Sequence, residues 1–299
     1  MTLPAVFTSL RCLDHEPGSA HPESPERLRA VHRAVRAEDP TALREAEPAL
    51  AEALERVHPA RYLDHLATLA SSGGGMLDYD TFMSSASFEA ARAAAGAALA
   101  AVHHAHEGRG HAFAAIRPPG HHALRETAMG FCFLANAVIA ARQAQALGRH
   151  RILIVDWDVH HGNGTQALVE RDPSVRFVSL HQWPLYPGTG AASERGVGNV
   201  FNIPRPPGLP PAQYVADLRQ GIASALAGWK PDLVVISAGY DSMRGDPLAG
   251  FTLEPSHYPD LIESLRSSCP GVPIVGVMEG GYVPERLAAG VLATLKALI

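Results

Sequence analysis

Lysine is almost missing from this 299-residue chain: Lys230 and Lys296 are the only two, so its positive charge is nearly all arginine. Cysteine is scarce as well, and Cys12, Cys132 and Cys269 form an odd set without CxxC spacing. That argues against a disulfide framework and a structural zinc knot, and leads us to expect a reducing, cytoplasmic setting. No run of eighteen uninterrupted apolar residues occurs; the Ala-rich stretch 86–102 comes nearest, but Glu89 and Arg92 interrupt it. It therefore reads as a helix, and no membrane partner is expected. The first residues lack a basic segment followed by a long apolar one, so no secretory signal is expected either. Basic excess is also absent, and a formal net charge of −5 gives no general attraction to nucleic acid.

What is present is a repeating alternation of short β-branched runs and longer helical segments. Strands are predicted at 4–9, 111–116, 152–155, 175–180, 233–237 and 274–278. Helices are predicted at 25–36, with Ser24 as N-cap and Pro25 in the first turn, and at 61–70, 86–102, 131–148, from 165, 212–226 and 257–267. Residues 71–75 and the following LDYDTFMSS read as loop, which leaves Asp80 on an irregular segment. His103, His104, His106 and His111 read as a solvated surface at a helix end. The Pro-rich stretch 202–211 could pass for a linker, but the same alternation continues beyond it. The expectation is an α/β fold: a single domain over 1–299 with a mainly parallel sheet covered by helices on both faces.

Five of these strands end in reactive side chains, at the edge where open parallel sheets gather their sites. GHH follows Ile116, DWDVHH follows Val155, His181 follows Leu180, Tyr240-Asp241 follows Ser237, and EGGY follows Met278. While the backbone stays extended, Asp158 and His160 project to one side of their strand. With Asp241 they make a three-ligand site with an open position, suited to a catalytic Zn2+, although Fe2+ would also accept two oxygens and one nitrogen. Such an ion polarises a carbonyl and acidifies water, which makes amide hydrolysis feasible. His121 and His122 could then move protons, with Asp156 as partner for one and Asn163 for the other. The Asp-paired imidazole should hold its proton more firmly, leaving the Asn-paired one freer to act as base. Tyr282 offers a phenolic donor to a developing oxyanion.

RPPGHH (117–122), GFCFLAN (130–136), DWDVHHGNGTQ (156–166), SLHQ (179–182), PGTG (187–190), SAGYD with GDPLAG (237–250) and EGGY occur in an order that resembles the zinc-dependent histone deacetylase superfamily. The resemblance is to its class II branch and bacterial deacetylase-like amidohydrolases, because Asn163 stands where class I enzymes carry Asp. It implies the arginase/deacetylase fold, Zn2+ on Asp158, His160 and Asp241, a His121–Asp156 pair, His122 as principal general base and acid, and Tyr282 as the carbonyl-polarising residue. It also implies an acyl-lysine channel walled by Phe131 beside Gly130, with Tyr186 where many members have a second Phe. Asp80 falls where members orient the substrate backbone, and Arg27 near the channel floor. A structural K+ would use the Asp156, Asp158, His160, Ser179 and Leu180 segment, largely through carbonyls. Tyr282 favours an active deacetylase over a weak binding module. Leu248, where a polyamine-selective relative has an acidic gatekeeper, disfavours that substrate. The expected partner is an acyl-lysine protein or peptide, the alternative an acetylpolyamine or other small acetylated amine; oligomeric state is left open.

Overall fold

The computed structural model describes residues 2–299, and its centre is an eight-stranded sheet in which every pairing is parallel. In chain order the elements are β1 (Ala5–Thr8), α1 (Pro25–Glu38), β2 (Leu43–Glu45), α2 (Ala51–Glu55), α3 (Ala60–Ser71), β3 (Gly74–Met76), β4 (Phe82–Ser84), α4 (Ser87–His106) and β5 (Ala112–Ala114). They continue with α5 (Asn136–Ala146), β6 (Ile152–Asp156), α6 (Asn163–Val169), β7 (Val175–Gln182), β8 (Val200–Arg205), α7 (Pro211–Leu226), β9 (Leu233–Ala238), α8 (Tyr258–Ser268), β10 (Ile274–Met278) and α9 (Pro284–Ala297). The strand order is β2-β1-β5-β10-β9-β6-β7-β8. Every residue of β6, β9 and β10 is buried, which is why these strands read as unbroken apolar runs rather than alternating ones. Helices α7, α8, α9 and α1 pack in series as one layer, and α3, α4, α5 and α6 as another. None of the helices is long and apolar enough to cross a membrane, among the described residues.

Several boundaries differ from those read in the sequence. The helix expected over 131–148 begins only at Asn136, because Gly130 and Phe131 both adopt positive φ, at 56° and 67°, and Met129 bridges back to Cys132 in a tight turn. Ser24 precedes α1 without making a side-chain cap bond; Pro25 alone marks the start. The segment expected as loop around Asp80 is flanked by an antiparallel pair, β3 and β4. The Pro-rich 202–211 stretch overlaps β8, an edge strand, where proline is tolerated. Not all of the expected surface histidines are solvated: His104 is buried against Phe7, and His111 Nδ1 accepts the Ile274 N–H at 3.0 Å.

Candidate active site

Strand β6 stops at Asp156 and residues 158–160 bend, so strand alternation is not what brings Asp158 and His160 together. Backbone donors do it instead. Asp158 donates its N–H to Asp156 Oδ1 at 3.0 Å, and Asp158 Oδ1 accepts the His160 N–H at 2.9 Å. Asp241, just beyond β9, is aimed by the Val159 N–H at 2.8 Å, and Asp158 Oδ2 accepts the Gly280 N–H at 2.8 Å. One ligand atom from each of the buried residues Asp158, His160 and Asp241 lies within 4.8 Å of the others.

This group fits a cation. Asp241 Oδ2 is buried and makes no hydrogen bond, with His160 Nδ1 3.3 Å away, a costly state for a carboxylate oxygen unless an ion meets it. No side chain could stand behind the ligands, since a Cβ at Gly280 would lie 2.1 Å from Asp241 Oδ2 and one at Gly239 2.2 Å from Asp158 Oδ2. Burial, together with the charge on Asp158, pushes the Asp241 carboxyl up to about 7. Burial disfavours an imidazolium at His160, but the adjacent Asp158 and Asp241 carboxylates outweigh it and raise its pKa to about 9. A divalent ion bound between the two carboxylates would take the place of that proton. Two oxygens and one imidazole nitrogen are a suitable donor set for such an ion.

The histidine pair sits beside it, with ring centroids 4.0 Å apart. His121 Nδ1 meets Asp156 Oδ2 at 3.1 Å, and His122 Nδ1 meets Asn163 Oδ1 at 2.7 Å. Their environments split them as the two partner types require. Burial works against the His121 imidazolium, yet Asp158 and Asp156 override it and push its pKa up to about 10. Burial and the neighbouring His121 and His160 hold His122 well below the ordinary range. Neutral His122 donates Nδ1–H to Asn163, which leaves Nε2 with its lone pair free.

Glu279 is a member of this site that sequence reasoning passed over in favour of Tyr282. Its Oε2 accepts the N–H groups of Gly120 at 2.6 Å and His121 at 3.1 Å, while the Ser237 hydroxyl donates to Oε1 at 3.1 Å. Burial pushes its carboxyl up to about 7. The available signal was a charged residue directly following the apolar run 274–278.

A cavity of about 190 Å³ leads to these groups, lined by Tyr79, Asp80, His122, Gly130, Phe131, His160, Leu185, Tyr186, Leu248 and Tyr282. Recesses of about 540 Å³ elsewhere, one lined by His111, Arg149 and Arg266 and the other by His150, Arg151 and Asp232, are larger but share no residue with it. The positive φ of Gly130 lets the turn press on His122: a Cβ there would lie 2.5 Å from His122 Cδ2. Phe131 is fastened by its N–H to Thr81 Oγ1 at 3.0 Å, and its ring lies 5.9 Å from that of Tyr282. Tyr186 stands edge-on to His122 with centroids 5.0 Å apart, its buried hydroxyl without a partner. Tyr79 and Leu185 were not singled out from sequence, because nothing but the fold brings their loops to the mouth. Arg27 lies behind Tyr282, its guanidinium 4.9 Å from the ring centre. Ser179 pairs in register with Asp156, so the Ser179-Leu180 and 156–160 segments are adjacent.

A description of the histone deacetylase domain matches residues 21–298. The chain belongs to the histone deacetylase family. It is 39% identical over 293 residues to a histone deacetylase-like amidohydrolase of Pseudomonas aeruginosa, covering 94% of this chain and 77% of that protein. An uncharacterised Synechocystis protein is 45% identical over 304 residues, with 99% of each chain covered. The crystal structure of the HDA15 HD domain superposes with a TM-score of 0.93 at 37% identity, covering 98% of this chain and 90% of that one. The parallel sheet between helical layers is therefore the arginase/deacetylase fold, and this histone deacetylase family member is an amide-hydrolysing enzyme of the deacetylase type.

Proposed function

We propose that this deacetylase removes an acetyl or other short acyl group from a lysine side chain, with Zn2+ held by Asp158, His160 and Asp241. The observation that carries the reading is that His160 of the Asp158, His160 and Asp241 group, His122 and Tyr282 all line a single cavity whose walls include Phe131 and Tyr186. The aliphatic stem of the substrate lies between those rings, and Asp80 at the mouth orients its backbone. When bound, the ion supplies Lewis acidity toward the amide carbonyl and the attacking water. His122 accepts the water proton at Nε2 and later returns a proton to the leaving amine, while Asn163 keeps its tautomer fixed. His121, charged through Asp156, steadies the negative charge of the centre. The Tyr282 hydroxyl donates to the carbonyl oxygen as it becomes an oxyanion, an interaction typically worth about 3 to 4 kcal/mol.

A K+ bound by carbonyls of the adjacent 156–160 and 179–180 segments would brace the ligand turn; the register of Asp156 with Ser179 supports it. A reducing compartment suits the three cysteines, which are all free thiols. The test is Tyr282→Phe on the zinc-loaded enzyme, assayed with acetyl-lysine peptides, longer acyl-lysines and acetylated polyamines. Loss of kcat by about two to three orders of magnitude with zinc retained is expected, and peptide kcat/KM at least equal to that on polyamines. Unchanged turnover in the variant would refute the mechanism, and turnover confined to polyamines would refute the lysine assignment.

A further inference from the structure

Three charged side chains without solvent exposure, Glu23, Arg27 and Arg117, lie outside the ligand group. Glu23 Oε1 accepts from Arg27 NH1 at 2.8 Å and from Arg117 Nε at 2.9 Å, and Oε2 accepts from Arg117 NH2 at 2.7 Å. His15 Nε2 lies 3.4 Å from the same Oε2. Arg27 places its other donors on the carbonyls of Gly281 at 2.7 Å and Glu279 at 2.5 Å, in the turn that delivers Tyr282. Arg117 NH1 holds the carbonyls of Cys12 and His15, each at 2.8 Å, and its main chain runs on into the turn carrying His121 and His122. One carboxylate therefore ties together the two loops that supply the proton-transfer group and the carbonyl donor. Without its charge, two guanidiniums would share a dry space with no anion between them, and their repulsion would bear through Arg27 on the Gly281 and Glu279 carbonyls it holds.

We propose that Glu23 is a positioning residue for the reaction: by clamping Arg27 against the Glu279 and Gly281 carbonyls, it fixes where Tyr282 meets the substrate carbonyl. The proposal rests on the reading of Tyr282 as carbonyl donor. Glu23 does not line the channel, so substrate affinity is left alone. Displacement of the tyrosine by about an ångström is expected to cost roughly 10- to 100-fold in kcat.

The experiment is a double-mutant cycle of Glu23→Gln with Tyr282→Phe on folded, zinc-loaded enzyme, with Arg27→Lys as a second variant that keeps the charge and loses the fork. Glu23→Gln should lower kcat by roughly 10- to 100-fold with KM within about twofold, and should add less than about twofold once Tyr282 is Phe. Arg27→Lys should show the same dependence on Tyr282, which keeps the test decisive if Glu23→Gln does not fold. Amide hydrogen exchange at Tyr282, measured on metal-free protein without substrate, should quicken in either variant. Equal fold-losses in the Tyr282 and Phe backgrounds, or unchanged exchange, would overturn the proposal. If Tyr282→Phe alone keeps full kcat, the catalytic reading of Tyr282 fails instead, and this inference falls with it.

Discussion

Acid should loosen the channel wall through His58, a residue remote from the chemistry. This imidazole is fully buried, and its two nitrogens have opposite duties: Nε2 accepts the Ala135 N–H at 3.0 Å while Nδ1 donates to the Arg125 carbonyl at 3.0 Å. Those bonds tie the chain ahead of α3 to the segment that carries Gly130 and Phe131. A second proton would set an N–H against an N–H in a dry site, and burial accordingly lowers the pKa from 6.5 to about 4. Because the folded state binds that proton less readily than the unfolded one, this contribution to stability is complete above the unfolded value of 6.5 and declines as pH falls toward 4. Each pH unit of that gap is worth ~1.4 kcal/mol, so His58 alone removes about 2 kcal/mol between pH 7 and pH 5. Urea unfolding at those two pH values, comparing wild type with the non-titrating His58→Gln, measures it directly. The variant is expected to be weaker at pH 7 yet to lose about 2 kcal/mol less on acidification. Equal losses in both proteins would refute the argument.

Two further expectations concern the site. Asn163→Asp places a carboxylate on His122 Nδ1, which should raise that imidazole's pKa by about 1 to 3 units; the acid limb of the kcat/KM profile should move upward accordingly, and a stationary limb would show that His122 is not the titrating base. Gly280→Ala brings a methyl to 2.1 Å from Asp241 Oδ2, so zinc affinity measured by chelator competition should fall by roughly 10-fold or more, whereas wild-type affinity would mean that the turn gives way without disturbing the ligands.

How much of this was legible beforehand depended on whether a residue's role is marked by residue type in its own stretch of sequence. The parallel sheet could be read because fully buried strands leave apolar runs, and the grouping of Asp158, His160 and Asp241 because they follow the ends of those runs. The Asn partner of His122 and the Asp partner of His121 were also legible, since both belong to the DWDVHHGNGTQ segment, and the structure places them at 2.7 and 3.1 Å. Local backbone conformation and contacts made across the sheet were not. Asp158 and His160 are set by N–H donors in a bent turn, and a period-two argument cannot see that. Phe131 was assigned to a helix because its neighbours have helical composition, whereas a positive φ at a non-glycine residue leaves no mark in composition. Glu279 acts through the N–H groups of Gly120 and His121, which are far away in the chain and adjacent only across the sheet. Tyr79 and Leu185 reach the mouth for the same reason.

The position of β10 between β5 and β9 governs the order in which this enzyme can come into being. β1, β2 and β5 on one side, and β6, β7, β8 and β9 on the other, are synthesised first, and both sheets keep a bare inner edge until β10 is inserted. Such edges invite pairing with other chains. The Gly280 amide that aims Asp158 and the tyrosine two residues later arrive with the same strand. Nascent chains halted before β10 should therefore be aggregation-prone rather than partly active, and any metal uptake at Asp158, His160 and Asp241 should mark the completion of folding rather than its beginning.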